Sequence, residues 1–178
     1  PVVLVGHSYG GSVISQVTPD QTKVKALVYV AAFAPEQGEN IAELSGRYPG
    51  GTLGPTLAAP VELKDGNKDL YIQQDKFGAQ FAADVPAAEA ALMAATQRPV
   101  TEAALHEASG APAWKKIPSW AIYGTADKNI PAAAMKFMAK RAGAKKIVEI
   151  KDASHVVMTS KPQQVAKLIV EAAEATAN

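Results

Sequence analysis

Val2-Val3-Leu4-Val5-Gly6-His7-Ser8-Tyr9-Gly10-Gly11 sets a continuous apolar run directly before a Gly-x-Ser-x-Gly pattern, and a helix-compatible stretch follows. An apolar run without polar alternation is the signature of a strand buried on both faces of a parallel sheet. A serine closing such a strand, with a helix beginning at once, reads as a nucleophile elbow. The hydroxyl is a poor nucleophile unless a sharp turn holds it out beside a base and backbone donors for the developing oxyanion. That turn presses together the positions two before and two after the serine, so Gly6 and Gly10 are both expected to be required. A glycine-rich turn with an inert serine is the rival reading, and the strand before and helix after count against it.

Downstream, strands alternate with helices, the order of a doubly wound α/β sheet. A helix over 10–17 ends near Thr18-Pro19-Asp20, and a second strand covers 24–30. Phe33-Ala34-Pro35 then turns the chain away, and over 36–113 the character changes, with Gly and Pro clustered in 48–60 and no long β run. This stretch reads as an inserted cap between core segments 1–35 and 114–178. Within it, 61–63 and 70–72 flank Lys64-Asp65-Gly66-Asn67-Lys68 as a small hairpin, and helices are expected over 75–83 and 86–96, with Pro86 in a first turn. The sheet resumes at Ser119-Trp120-Ala121-Ile122-Tyr123. Pro131 opens a helix that runs to about Ala142 and stops at Gly143, 146–150 is the last strand, and Ser160 with Gln163 forms a capping-box pattern for a final helix with Pro162 in its first turn.

Two loops carry further chemistry. Gly124-Thr125-Ala126-Asp127 puts a carboxylate just past a strand, and Lys151-Asp152-Ala153-Ser154-His155 ends on a histidine just past the last one. Loops that follow parallel strands open on one sheet edge, where α/β folds place their sites. Ser8, Asp127 and His155 are thereby expected to converge as nucleophile, base-orienting acid and base. Taken singly, Asp127 reads equally well as a turn-forming aspartate and His155 as a loop histidine, so it is the joint placement that favours a triad. Asp152 is the next candidate for the acid. His106 reads as a surface residue, and Trp114 and Trp120 as packing residues.

Composition narrows the field. The 178 residues are 48% apolar with a formal net charge of +1, which suits one domain with its own core. The Lys115-Lys116 and Lys145-Lys146 pairs make no basic stripe, so no nucleic-acid partner is expected. No apolar run approaches the ~20 residues that span a bilayer, and no membrane partner is expected. Without cysteine there is no disulfide, thiolate metal site or Cys nucleophile. His7, His106 and His155 are too far apart for a local metal-ligand pattern, and neither metal nor cofactor is expected.

On Gly6-His7-Ser8-Tyr9-Gly10-Gly11, the strand and turn from Val28 to Pro35, Ala91-Leu92-Met93 up to Arg98-Pro99, and Asp152-Ala153-Ser154-His155 through Lys161-Pro162, the chain resembles an α/β-hydrolase. The likeness covers the C-terminal two-thirds of that fold, from the nucleophile strand onward. Within the superfamily it is similar to the branch of plant hydroxynitrile lyases, plant methylesterases and bacterial hydrolases of small esters. The first motif is specific to the superfamily alone, and the later pieces favour the branch.

The resemblance implies an α/β fold, a mostly parallel sheet with flanking helices and an inserted cap, and cleavage of a small carboxylic ester through an acyl-enzyme. Ser8 would attack the carbonyl, His155 would move the proton, Asp127 would orient the imidazole, and the backbone N–H of Tyr9 would donate to the oxyanion. In the family a second donor comes from a loop after an earlier strand, often preceded by His-Gly, and no such segment is present here. Phe33, Phe77 and Phe81 are the candidate substrate contacts, although Phe77 and Phe81, four apart on one helix face, read at least as well as packing residues. Met93 shares that ambiguity.

Cyanohydrin cleavage of the lyase type is the alternative. The plant lyases carry a lysine directly after the histidine, and here that position is Val156, followed by Val157 and Met158. Their apolar character favours an ester with a hydrophobic acyl or alcohol part. Dehalogenases and epoxide hydrolases place a carboxylate where Ser8 stands. A small apolar ligand-binding protein with a weakly active triad is the reading from a different class.

The apolar strand at the start of the chain should have neighbours on both sides, since a bare hydrophobic edge invites aggregation. The expectation is that further N-terminal strands, or a second chain such as the partner of a homodimer, complete the sheet. The cytoplasm is the default compartment, a signal peptide upstream of Pro1 being the alternative.

Overall fold

A computed structural model describes residues 1–19 and 23–177. Four parallel strands, β1 (Val2–Ser8), β2 (Val24–Ala32), β6 (Ser119–Gly124) and β7 (Lys146–Ile150), form the main sheet in the order β1-β2-β6-β7. The two central strands are apolar without alternation because both of their faces are covered. From Ala26 to Ala32 every residue of β2 is buried, as is every residue of β6. Helices α1 (Gly10–Ser15), α6 (Ala132–Arg141) and α8 (Pro162–Ala175) pack against these strands, with α8 crossing β1, β2 and β6. A Cβ at Gly11 would lie 2.2 Å from the carbonyl oxygen of Phe33, so only glycine lets α1 sit this close to the end of β2.

β1 occupies the edge. Among the described residues the expected neighbour on each side is not met, since β1 pairs there with β2 alone, and Val2 and Val5 are half exposed. α1 ends at Ser15, short of the expected Val17, and Asp20 of the expected helix stop lies outside the described residues. β2 continues past Val30 to Ala32.

Between β2 and β6 the chain leaves the main sheet. α2 (Ile41–Gly46) comes first, capped by Asn40, whose side chain accepts the N–H of Glu43. β3 (Val61–Glu62) and β4 (Lys68–Leu70) form a hairpin, with Val61 opposite Asp69 and Glu62 opposite Lys68, so the second strand starts two residues before the expected Leu70 and Lys68 pairs in the ladder where the turn was expected. α3 (Gln74–Phe81) and α4 (Ala87–Thr96) follow and pack on one another, and β5 (Val100–Thr101) adds a third strand to the hairpin before α5 (Glu102–His106). Arg141 of α6 ties the start of this connection to the core, donating to both carboxylate oxygens of Glu39 and to the carbonyl of Ala34. Trp114 donates its indole N–H to Pro35 at 3.0 Å, which makes it the packing residue expected.

The last turn of the chain departs from expectation. Ser160 closes the short helix α7 (Val157–Ser160), the N-cap of α8 is Lys161, and no side-chain cap bond forms. The backbone of Ser160 and Lys161 is already turned back onto Val156 and Val157, so Ser160 does not adopt the extended cap geometry that a capping box needs. Pro162 does stand at the helix start, where its missing N–H costs little.

Candidate active site

Ser8 ends β1 with φ +53, in the left-handed region that a residue with a side chain seldom adopts. Such a conformation persists only where the surroundings impose it, and it cants Ser8 out of the strand before α1 begins. Gly6 is one cause: a Cβ there would lie 2.5 Å from the carbonyl oxygen of Gly10. Gly10 itself is different, since a Cβ at that position meets nothing within 4 Å. The expected requirement for two glycines thus falls on Gly6 and on Gly11, because the squeeze is one-sided and the second close approach comes from β2.

Asp127 lies in the loop after β6 and uses both carboxylate oxygens. Oδ1 accepts the backbone N–H groups of Asn129 at 2.8 Å and Ile130 at 2.9 Å, and Oδ2 stands 2.6 Å from Nδ1 of His155. One oxygen thus holds the turn of its own loop and the other faces the imidazole. His155 follows β7 and is fully buried. Its Nδ1–H donates to Asp127, which leaves Nε2 as the lone-pair nitrogen, buried and without a hydrogen-bond partner. Asp152 is exposed, with φ +59 and its N–H on Thr125 Oγ1, so it shapes the loop and is not the carboxylate on His155.

The two loops are pressed together by a third glycine. A Cβ on Gly124 would stand 2.1 Å from the carbonyl oxygen of Ala153, and that carbonyl accepts the N–H of Ala126 at 3.1 Å. Glycine at the end of β6 is therefore what lets the histidine loop reach the acid loop.

His7 was not singled out by its sequence, and the structure places it against His155. Its Nε2–H donates to the His155 carbonyl at 3.0 Å and the two ring centroids are 4.7 Å apart. Because a carbonyl only accepts, His7 carries its proton on Nε2. Burial, reinforced by the neighbouring His155, lowers its pKa to about 4, so the ring is neutral near neutral pH. The signal is its position directly before the serine, on a strand that carries no polar side chain before it.

His7, Ser8, Tyr9 and His155 border a cavity of about 540 Å³ whose surface is mostly apolar. Phe33, Phe77 and Phe81 all line it. Phe81 also packs edge-on to the His155 ring at 4.7 Å and lies 4.9 Å from Phe77, so packing and lining are the same contact here. Met93 and Leu57 extend the apolar wall, and Arg98 at the exposed rim is the one lining residue with a permanent charge among those described. Val156 is fully buried in a cluster with Ile72, Phe77 and Ala90. His106 is exposed. Among the described residues no group of His, Cys, Asp or Glu is arranged to hold a metal, and no helix is long and apolar enough to cross a membrane.

Residues 1–168 match the alpha/beta hydrolase family, and the chain belongs to it. Among characterised relatives, it is 26% identical to the alpha-hydroxynitrile lyase of Arabidopsis thaliana over 174 residues, covering 92% of this chain and 66% of the lyase. A carbendazim hydrolyzing esterase of Nocardioides sp. (strain SG-4G) is 50% identical over 44 residues, covering 24% of this chain and 18% of that protein. The chain thus spans less than two-thirds of the length of these two relatives. Among solved structures, polyneuridine aldehyde esterase superposes with a TM-score of 0.78 at 20% identity, over 96% of this chain and 71% of the other, a likeness of fold. A methylesterase from Arabidopsis superposes with a TM-score of 0.73 at 19% identity, over 98% of this chain and 70% of the other.

Proposed function

We propose that this chain carries the catalytic serine, histidine and aspartate of an esterase acting on small, neutral carboxylic esters with an apolar acyl or alcohol group. The observation behind this reading is the bond from His155 Nδ1 to Asp127, which fixes the tautomer with a bare Nε2 on the same cavity as Ser8. Ser8 Oγ adds to the ester carbonyl while its proton passes to Nε2, and the Asp127 carboxylate stabilises the imidazolium so formed. The backbone N–H of Tyr9, at the start of α1, donates to the oxyanion, a contribution of about 3 kcal/mol for one such donor. Collapse expels the alcohol, which takes the proton from Nε2. Water then repeats the sequence on the acyl-enzyme and releases the acid. Phe33, Phe77 and Phe81 form the apolar wall for the substrate.

Hydrolysis of short p-nitrophenyl esters tests this reading. The wild-type protein is expected to turn them over and Ser8→Ala is expected to have no activity while keeping the fold. Residual activity near wild type in that variant would reject Ser8 as the nucleophile.

Cyanohydrin cleavage is the second reading, favoured by the Arabidopsis lyase among the relatives. Against it stands Val156, buried among apolar side chains where the plant lyases carry a lysine. Release of benzaldehyde from mandelonitrile at a rate exceeding ester hydrolysis would reverse the order of the two.

A further inference from the structure

We propose that the C-terminal end of α3 is a clamp that sets the positions of both loops behind the cavity, with Gln80 acting on the Asp127 loop and Asp84 on the His155 loop as positioning residues. This rests on the assignment of Asp127 and His155 to the reaction. Gln80 is a polar side chain buried to 5% exposure. Its Nε2 donates to the carbonyl of Lys128 at 2.9 Å and to Oδ1 of Asn129 at 3.2 Å, while its Oε1 accepts from Thr52 Oγ1 at 2.9 Å. In return Asn129 donates to the Gln80 carbonyl at 3.3 Å, and Lys128 Nζ donates to the carbonyl of Ala79 at 3.0 Å. The two residues that follow Asp127 are therefore both fastened to the last turn of α3.

The other loop is fastened three residues past the end of that helix. Ser154, buried directly before His155, donates its hydroxyl to the carboxylate of Asp84. Between the two anchors, Phe81 presses its ring edge-on to His155. Buried polar groups are costly unless their bonds are made, so Gln80 and Ser154, both buried and bonded, specify one loop geometry where an apolar contact would tolerate several. Acid and base then keep their separation because one short helix end holds both, and a displacement of about 1 Å at such a site costs about 100-fold in rate.

The test is the single-turnover labelling of Ser8 by a fluorophosphonate in Asp84→Ala, Ser154→Ala and Gln80→Ala, read together with the downfield proton NMR signal of the His155 Nδ1–H. The clamp predicts folded variants whose limiting labelling rate falls about 10- to 100-fold while the half-saturating probe concentration moves less than about 3-fold. The Nδ1–H signal shifts or broadens, and Ser154→Thr, which keeps the hydroxyl, restores rate and signal. If Asp84→Ala does not fold, Ser154→Ala and Asp84→Asn carry the test. Limiting rates within about 2-fold of wild type with an unchanged signal would overturn the clamp, as would a loss in Ser154→Ala that Ser154→Thr fails to restore. If the wild-type protein takes no label, the esterase reading fails instead, and the NMR signal still decides the clamp.

Discussion

Nδ1 of His155 stands 2.6 Å from Oδ2 of Asp127, and both side chains are inaccessible to solvent. The other oxygen of the same carboxylate holds the turn of its own loop through Asn129 and Ile130. Substitution by Asn keeps an oxygen for that turn and removes the charge from the histidine. Asp127→Asn is therefore expected to lower ester turnover by about 10⁴ with little loss of stability. Asp127→Ala should lose the same activity and also melt earlier, because two buried N–H groups lose their acceptor. Paired turnover and thermal-melt measurements on the two variants check this, and a turnover loss below tenfold in Asp127→Asn would move the acid role elsewhere.

The glycines make a prediction that departs from the sequence pattern at Gly10. A methyl group at Gly6 runs into the backbone of Gly10, and one at Gly124 runs into that of Ala153, whereas Gly10 has open space. Gly6→Ala and Gly124→Ala are each expected to destabilise the fold by about 1–3 kcal/mol, the usual cost of overpacking. Gly10→Ala, at the first residue of α1, should be neutral or stabilising by up to about 1 kcal/mol. Denaturant titration of the three variants distinguishes these outcomes.

Stability should depend on pH in two windows. The pKa of His7 is lowered in the folded state to about 4 from 6.5, so below about 6.5 the unfolded chain binds a proton that the folded chain refuses. Stability falls as pH drops from 6.5 toward 4, and His7→Gln should flatten that part of the profile. For Glu39, burial raises the pKa, but hydrogen bonds led by Arg141 outweigh it and hold the carboxyl at about 2. Its contribution is present above about 4.5 and is lost as pH falls toward 2. Glu39→Gln should shrink this lower window, to which Glu36, Asp84 and Glu149, also held below the usual carboxylate range by their hydrogen bonds, contribute, and leave the upper one. Denaturation midpoints across pH 2–8 would show whether the windows separate.

Val156 separates the esterase and lyase readings by a structural route. A lysine there would place a charge among Ile72, Phe77 and Ala90. Val156→Lys is expected to cost about 3 kcal/mol or more, since the charge would be taken out of water among apolar side chains, and to yield no mandelonitrile cleavage. A variant that is stable and releases benzaldehyde would show the site to be closer to the lyases than its buried apolar flank suggests.

Much of the site was legible because each member follows a strand. The apolar runs at Val2–Ser8, Ser119–Gly124 and Lys146–Ile150 located Ser8, Asp127 and His155 on one sheet edge without any knowledge of contacts. What stayed hidden is what crosses between elements. The approach of Gly124 to Ala153 and the bond from His7 to the His155 carbonyl join residues far apart in sequence, and neither leaves a local pattern. β5 is two residues long, too short for any periodicity, and forms because β4 offers it an edge. The capping box at Ser160 failed for a related reason, the preceding turn having already been taken by α7. α2 did leave a signal, Asn40 followed three residues later by Glu43, the residue types that start a helix.

The central claim is that Ser8 is a nucleophile activated by His155. Intact-mass measurement after exposure to a fluorophosphonate addresses it without knowledge of the substrate. The account predicts one adduct, mapped to Ser8, absent in Ser8→Ala and formed far more slowly in Asp127→Asn. No adduct on the folded wild-type protein, or an equal adduct in Ser8→Ala, would contradict it.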